Sequence, residues 1–303
     1  MSEPLNPDRH VARRIGAQRD VLGECPVWSV AEQALYWIDI RQPTIRRHRP
    51  ETGAIESWPL PEVVGSIALA GQGRLVVALG GRVVLFDTAD GSMRSLAHLP
   101  HLPPGHRFND GRCDPVGRFW VGTMHNVTRG PEGTLYRLGP EGFEAVLSGV
   151  RIPNSLCWSP DGRTMYFADS LDHEIGAYAY DPGSGALGGR RGFARSRPPA
   201  FPDGATVDEE GCVWCAEFNG GRIACWRPDG RLAREIRVPV ARPTSCAFGG
   251  ANLDILFVTT TCQHMSEAER AADPLSGALL AYETGARGRP EPVFDARLIG
   301  ARL

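Results

Sequence analysis

With 303 residues the chain is long enough to bury a sizeable core, and 33 basic residues against 35 acidic ones leave a formal net charge of -2. That balance carries no electrostatic footprint for nucleic acid or an anionic membrane surface, so both are excluded as partners. The 36 glycines and 25 prolines are too many for a helical protein and suit a chain that reverses direction about every dozen residues.

The first stretch, Met1-Ser2-Glu3-Pro4-Leu5-Asn6-Pro7-Asp8, is polar and contains proline, and residues 1–10 are expected to be a disordered tail ahead of a single domain over 11–303. It has no basic region followed by an apolar core, and no apolar run in the chain approaches membrane-spanning length, so the expected location is cytoplasmic. From Gly23 onward one pattern recurs. Gly23-Glu24-Cys25-Pro26-Val27-Trp28 runs to Leu35-Tyr36-Trp37-Ile38, and Gly65-Ser66-Ile67-Ala68 runs through Gly71-Gln72-Gly73 to Leu75-Val76-Val77-Ala78. The clearest copy is Arg107-Phe108-Asn109-Asp110-Gly111, the turn Asp114-Pro115-Val116-Gly117, and the run Phe119-Trp120-Val121-Gly122-Thr123-Met124. Ile152-Pro153-Asn154 then leads to Met165-Tyr166-Phe167-Ala168, Phe201-Pro202-Asp203-Gly204 to Cys212-Val213-Trp214-Cys215-Ala216, and Thr244-Ser245-Cys246-Ala247 to Ile255-Leu256-Phe257-Val258. Each copy reads as two antiparallel strands joined by a hairpin, and most are followed by a third strand and another turn.

Tyr36, Leu75, Phe119, Tyr166, Val213 and Leu256 occupy matched strand positions, with spacings of 39, 44, 47, 47 and 43 residues. Six units of that size predict an all-β, six-bladed β-propeller, with blades over about 23–60, 61–104, 105–150, 151–199, 200–240 and 241–294. Val11 to Leu22 is expected to add a strand to the last blade and close the ring. Two long connections, His125 to Glu132 and Cys262 to Pro274, follow second strands and therefore return to the end of the blade where the first strand began. Ser266-Glu267-Ala268-Glu269 is good for one or two helical turns before Pro274, which predicts a partial lid. The eight cysteines fall mostly inside apolar strands and are expected to be free and buried; Cys212 and Cys215 point to opposite faces of an extended strand and do not make a ligand pair.

The first residues of a propeller's inner strands ring one mouth of its central channel. Here that ring reads Glu24, Ser66, Asn109, Asn154, Asp203 and Ser245. Asn and Asp favour turns anywhere, but four oxygen-bearing side chains at equivalent places in separate repeats describe a site for a hard divalent cation at the axis. Ca²⁺ leads, with Mg²⁺, Mn²⁺, Zn²⁺ or Fe²⁺ as alternatives. A cation would also remove the repulsion between two carboxylates in one confined space. No Gly-x-Ser-x-Gly elbow is present for serine nucleophile chemistry.

Gly23-Glu24-Cys25-Pro26-Val27-Trp28, Arg107-Phe108-Asn109-Asp110-Gly111, the run from Asp114 to Met124, Pro153-Asn154, Phe201-Pro202-Asp203-Gly204, Asn219-Gly220-Gly221-Arg222 and Cys246-Ala247-Phe248-Gly249-Gly250 together resemble the SMP-30/gluconolactonase family, which includes regucalcin and bacterial sugar lactonases. The resemblance implies a six-bladed propeller with one catalytic metal. It makes Glu24, Asn154 and Asp203 the protein ligands, Asn109 a residue at both metal and substrate, and Arg107 a holder of substrate oxygens. Ser155 and Cys25 depart from the family's usual small residues, and the loop after Met124 carries His125 and Asn126 without the Glu of the regucalcin branch. That difference favours a bacterial type of pentono- or hexonolactonase.

The expected activity is metal-dependent hydrolysis of a sugar lactone, with Asp203 as general base on the attacking water and Arg107, Asn109 and His125 as substrate contacts. His264 is a further candidate contact, and Asp110 a support for the metal residues through backbone hydrogen bonds. Phosphotriester or aryl-ester hydrolysis on the same scaffold, and a non-enzymatic calcium-binding propeller, remain open at this point. The expected partner is a small-molecule lactone, and the expected state a monomer or weak homo-oligomer.

Overall fold

The computed structural model describes residues 11–300, so the tail expected over 1–10 lies outside the described residues. Six four-stranded antiparallel sheets follow one another along the chain. Their first strands are Gly23–Ser29, Val64–Leu69, His106–Cys113, Pro153–Trp158, Phe201–Val207 and Pro243–Gly249. Each packs against the next, and the strand from Pro243 returns to the one from Gly23, so the six stand in a closed ring around a channel. This is a six-bladed β-propeller. The last blade takes its outermost strand, Arg13–Ile15, from the start of the chain, and Arg13 pairs with Ala281 of the strand Leu279–Glu283. The closing strand thus lies within the stretch Val11 to Leu22 expected to supply it.

The recurring turn has a local cause. Asp114 Oδ1 accepts from the backbone N–H groups of Val116 and Arg118, its Oδ2 from Trp120 Nε1 at 3.2 Å, and the Tyr180 hydroxyl also donates to it. Asp208 repeats the device with the N–H groups of Glu210 and Cys212 and with Trp214 Nε1 at 2.8 Å. One carboxylate therefore folds the turn over itself and anchors an aromatic ring six residues on, which fixes which face of the second strand is buried. The buried faces form apolar layers between neighbouring blades. Trp28 of the first blade, 1% exposed, stacks on Phe257 of the sixth with ring centroids 5.8 Å apart. Truncating such a ring would cost about 3–5 kcal/mol.

All six first strands carry a register shift near their beginning, at Glu24/Val27, Val64/Ser66, Phe108/Gly111, Asn154/Cys157, Pro202/Ala205 and Pro243/Ser245. A bulge inserts a residue and re-aims its side chain. It falls at the ring position in every blade. The residues following Glu24 and Asn154 adopt a left-handed backbone, with φ of 49° at Cys25 and 56° at Ser155, which explains why small residues are suited there. In the fifth blade the corresponding position is Gly204, where a Cβ would meet Ser245 Oγ at 2.0 Å.

The eight cysteines are free and buried. Cys215 Sγ faces Ser155 and the Asp203 carbonyl, whereas Cys212 lies with Asp208 and Cys225, so the two do sit on opposite sides. A six-residue helix, Glu267–Ala272, fills the last long connection, with Ser266 and Glu269 forming a capping box. None of its residues is buried; it is Gln263 and His264, ahead of it, that reach the channel mouth. No helix among the described residues is long and apolar enough to cross a membrane.

Candidate metal centre and active site

The channel mouth at the bulged ends of the first strands holds a cavity of about 280 Å³. Glu24, Asn109, Asn154 and Asp203 line it together with Arg107, so the carboxylates of the first and fifth blades, distant in sequence, face one space. Ser66 and Ser245 are buried at the same level of the ring but do not line the cavity. The polar groups brace each other from blade to blade. Asn109 Nδ2 donates to Pro153 O at 2.9 Å and to Asn154 Oδ1 at 3.0 Å, Asn154 Nδ2 donates to Ser170 Oγ at 2.8 Å, and Ser170 Oγ donates to Pro202 O at 2.7 Å. Arg107 Nη1 donates to Asn109 Oδ1 at 2.6 Å and to its neighbour's carbonyl, Phe108 O. Both asparagine amides are thereby oriented. Asp110, half-buried, accepts from Leu156 N at 2.9 Å and pins the strand that carries Asn154, the supporting role expected for it.

The two carboxylates are the unbalanced part of this network. Glu24 accepts from Cys25 N at 3.0 Å, and among the described residues neither Glu24 nor Asp203 forms a salt bridge. Desolvation, with the Asp110 charge adding to it, pushes the Glu24 carboxyl up to about 8. Burial first and then the charge of Glu24 hold Asp203 well above the usual carboxylate range. Arg107 offsets only part of this, being itself pushed down to about 10 by burial and by the positive charge of Arg41. An all-oxygen set of two carboxylates and two amides, short of positive charge, is what a hard divalent cation takes. Glu24, Asn154 and Asp203 fit as its ligands.

Asp208, Cys212 and Cys225 offer ligand atoms within 4.8 Å of one another. The hydrogen bonds already described occupy Asp208 with its own turn, and burial raises both thiols above their ordinary range. That group explains a turn and a packed strand pair.

His125 is placed differently from the expectation. Its Nδ1 accepts from Val127 N and Thr128 N, its ring packs edge-on against His106 at 5.0 Å, and it does not line the cavity. The following residue, Asn126, takes that place and accepts from Arg107 Nε at 3.1 Å. His264 does line the cavity, through a side chain that meets Gln263 Nε2 at 2.6 Å. Residues not picked out from the sequence complete the wall: Arg41, Arg129, Asn219, Arg242 and Gln263. Arg41, Arg129, Asn219 and Gln263 all fall in the connections after second strands, at one to four residues past the strand end and with no shared motif, whereas Arg242 immediately precedes a first strand.

The SMP-30/gluconolactonase/LRE-like family model matches residues 22–262. The chain belongs to this family. A 6-deoxy-6-sulfogluconolactonase of Pseudomonas putida is 40% identical over 282 residues, covering 91% of this chain and 96% of that protein. A pentonolactonase of Haloferax volcanii is 37% identical over 287 residues, with the same coverage. A calcium-binding regucalcin from Agrobacterium tumefaciens superposes with a TM-score of 0.90 at 28% identity, over 94% of this chain and 98% of its own. As a member of the SMP-30/gluconolactonase family, the chain has relatives named as lactone hydrolases and a structural neighbour named for calcium, which agrees with a polar cavity floored by oxygen ligands.

Proposed function

We propose that this protein hydrolyses an aldonolactone to the aldonic acid with the help of one divalent cation, Ca²⁺ foremost, held by Glu24, Asn154 and Asp203. The observation that carries the reading is the pair of uncompensated carboxylates facing one polar cavity beside an oriented arginine and two oriented amides. When bound, the cation would supply Lewis-acid polarisation of the lactone carbonyl. The chain's own groups do the rest. Arg107, whose Nη2 has no protein partner among the described residues, donates to sugar oxygens and fixes the ring in the cavity. Asp203 takes a proton from the attacking water as the new C–O bond forms at the carbonyl carbon. The ring C–O bond then breaks, and that proton passes to the departing ring oxygen, leaving a hydroxyl and a carboxylic acid. Buried and close to Glu24, Asp203 is the more basic for its surroundings.

Phe201 and Phe218 line part of the wall and would suit an aryl ester, but the floor is built of polyol-binding groups. An open, lined cavity also speaks for turnover over a purely structural calcium site. The test is a pH-indicator screen of pentono- and hexonolactones with cation-loaded protein, alongside an aryl ester and a phosphotriester. Rapid acid release from an aldonolactone is expected. Preference for the aryl ester or phosphotriester would overturn the reading.

A further inference from the structure

Four arginines line the cavity, and among the described residues the only carboxylates that do so are Glu24 and Asp203. Arg107 is buried, Arg41 and Arg242 are half-buried, and Arg129 is exposed, so positive charge is graded from the floor to the rim. None of the four makes a salt bridge, although the described residues form sixteen such bridges, all of them through arginine. Three of them, Arg41, Arg107 and Arg242, are instead held by neutral groups that fix their place and leave their charge. Arg41 Nε donates to Gln263 Oε1 at 3.0 Å, Arg242 Nη1 to Gln263 O at 3.1 Å, and Arg242 Nε to Asn219 Oδ1 at 3.2 Å. Gln263 thus ties two guanidiniums from the first and sixth blades into one frame. The terminal nitrogens of Arg41, Nη2 of Arg242 and the guanidinium of Arg129 have no hydrogen-bond partner among the described residues.

A neutral polyol is a poor complement to this wall. Its hydroxyls both donate and accept, whereas guanidinium only donates, and seating a neutral sugar would strip water from several cations without replacing it by charge. An oxyanion accepts at every oxygen and is bound by arginine through paired, charge-assisted hydrogen bonds. We propose that the lactone taken by this site carries an anionic substituent, a phosphate, sulfonate or carboxylate remote from the lactone carbonyl, which Arg41, Arg129 and Arg242 hold at the rim. This rests on the lactone-hydrolase reading and adds the charge of the substrate to it.

The test compares initial rates of the cation-loaded protein on gluconolactone, its 6-phosphate, its 6-sulfonate analogue and glucaro-1,4-lactone at low and high salt. The kcat/KM of at least one anionic lactone is expected to exceed that of gluconolactone by about tenfold or more, and the advantage to shrink as salt screens the charges. Which anion is best names the group. Arg129→Gln, at an exposed position that leaves folding alone, and Arg242→Gln should each lower kcat/KM for that anionic lactone by at least about fivefold more than for gluconolactone. Equal use of charged and neutral lactones, or variants that scale both alike, would overturn the proposal and leave the lactonase standing. If no lactone is hydrolysed, the lactonase reading fails, and calorimetric titration with 6-phosphogluconate and gluconate still decides the charge question. Tighter binding of the phosphorylated acid supports the anion site, and equal or absent binding refutes it.

Discussion

The two mouths of the channel bury similar groups and treat them in opposite ways. At the far mouth, Arg112 donates to Ala205 O at 2.6 Å and to Glu291 Oε1 at 2.7 Å, and the segment 289–292 lies against the ends of the first strands at Cys113, Trp158 and Val207. Burial alone would lower the Arg112 guanidinium, yet the Glu291 charge beside it holds it above its ordinary range. At the near mouth, Arg107 offsets only part of the charge of Glu24 and Asp203, and among the described residues neither these carboxylates nor the four arginines of the cavity form a salt bridge. Charge held out of water without a partner is costly, and its retention at the near mouth supports the proposed cation and the proposed anionic substrate.

The comparison is broken most severely by removing the open carboxylate. Asp203→Asn should reduce lactone hydrolysis by about 10²–10⁴-fold while thermal unfolding monitored by circular dichroism stays the same or rises, because a repulsive charge is lost. Retained turnover would remove Asp203 as the base. Breaking the closed pair should have the converse signature. Glu291→Ala leaves the largely buried Arg112 without its salt-bridge partner, and a loss of about 3 kcal/mol in denaturant unfolding is expected, with turnover per folded molecule kept in cation-loaded protein. Arg107→Ala should raise KM about tenfold, most for lactones rich in hydroxyls, and an unchanged KM would take it out of the site.

The smallest of these effects lies in the pH dependence of the metal-free protein. Glu24 and Asp203 have folded-state pKa values above their unfolded ones, so the native state holds more protons than the unfolded state between the ordinary carboxylate range and about 8. Stability in chelator should therefore fall as pH rises through that window and be highest below it. Added divalent cation should cancel the fall and release protons on binding. Glu24→Gln should flatten the profile; an unchanged slope would mean that these carboxylates are not the source.

Much of this was legible before any coordinates. The blades follow from turns that recur at near-constant spacing, and the convergence of Glu24, Asn109, Asn154 and Asp203 follows from placing equivalent positions around one axis. The limit of that reasoning shows at His125. A strand inverts its facing with every residue, and the strand Phe119–His125 ends at that point with its last ring turned back to cap its own loop, so the neighbour Asn126 meets Arg107. Arg41, Arg129 and Arg242 were hidden for another reason. Their loops share no turn motif, and it is ring closure, through contacts such as Gln263 with both Arg41 and Arg242, that brings them to one cavity.

Whether Glu24 and Asp203 hold a cation that turnover requires can be measured directly. The direct measurement strips the protein with chelator, adds Ca²⁺ and other divalent ions in steps, and follows both bound metal and aldonolactone hydrolysis. Activity should vanish on stripping and return in proportion to one bound ion per chain, with Glu24→Gln binding that ion weakly. Full turnover by the stripped protein would contradict it.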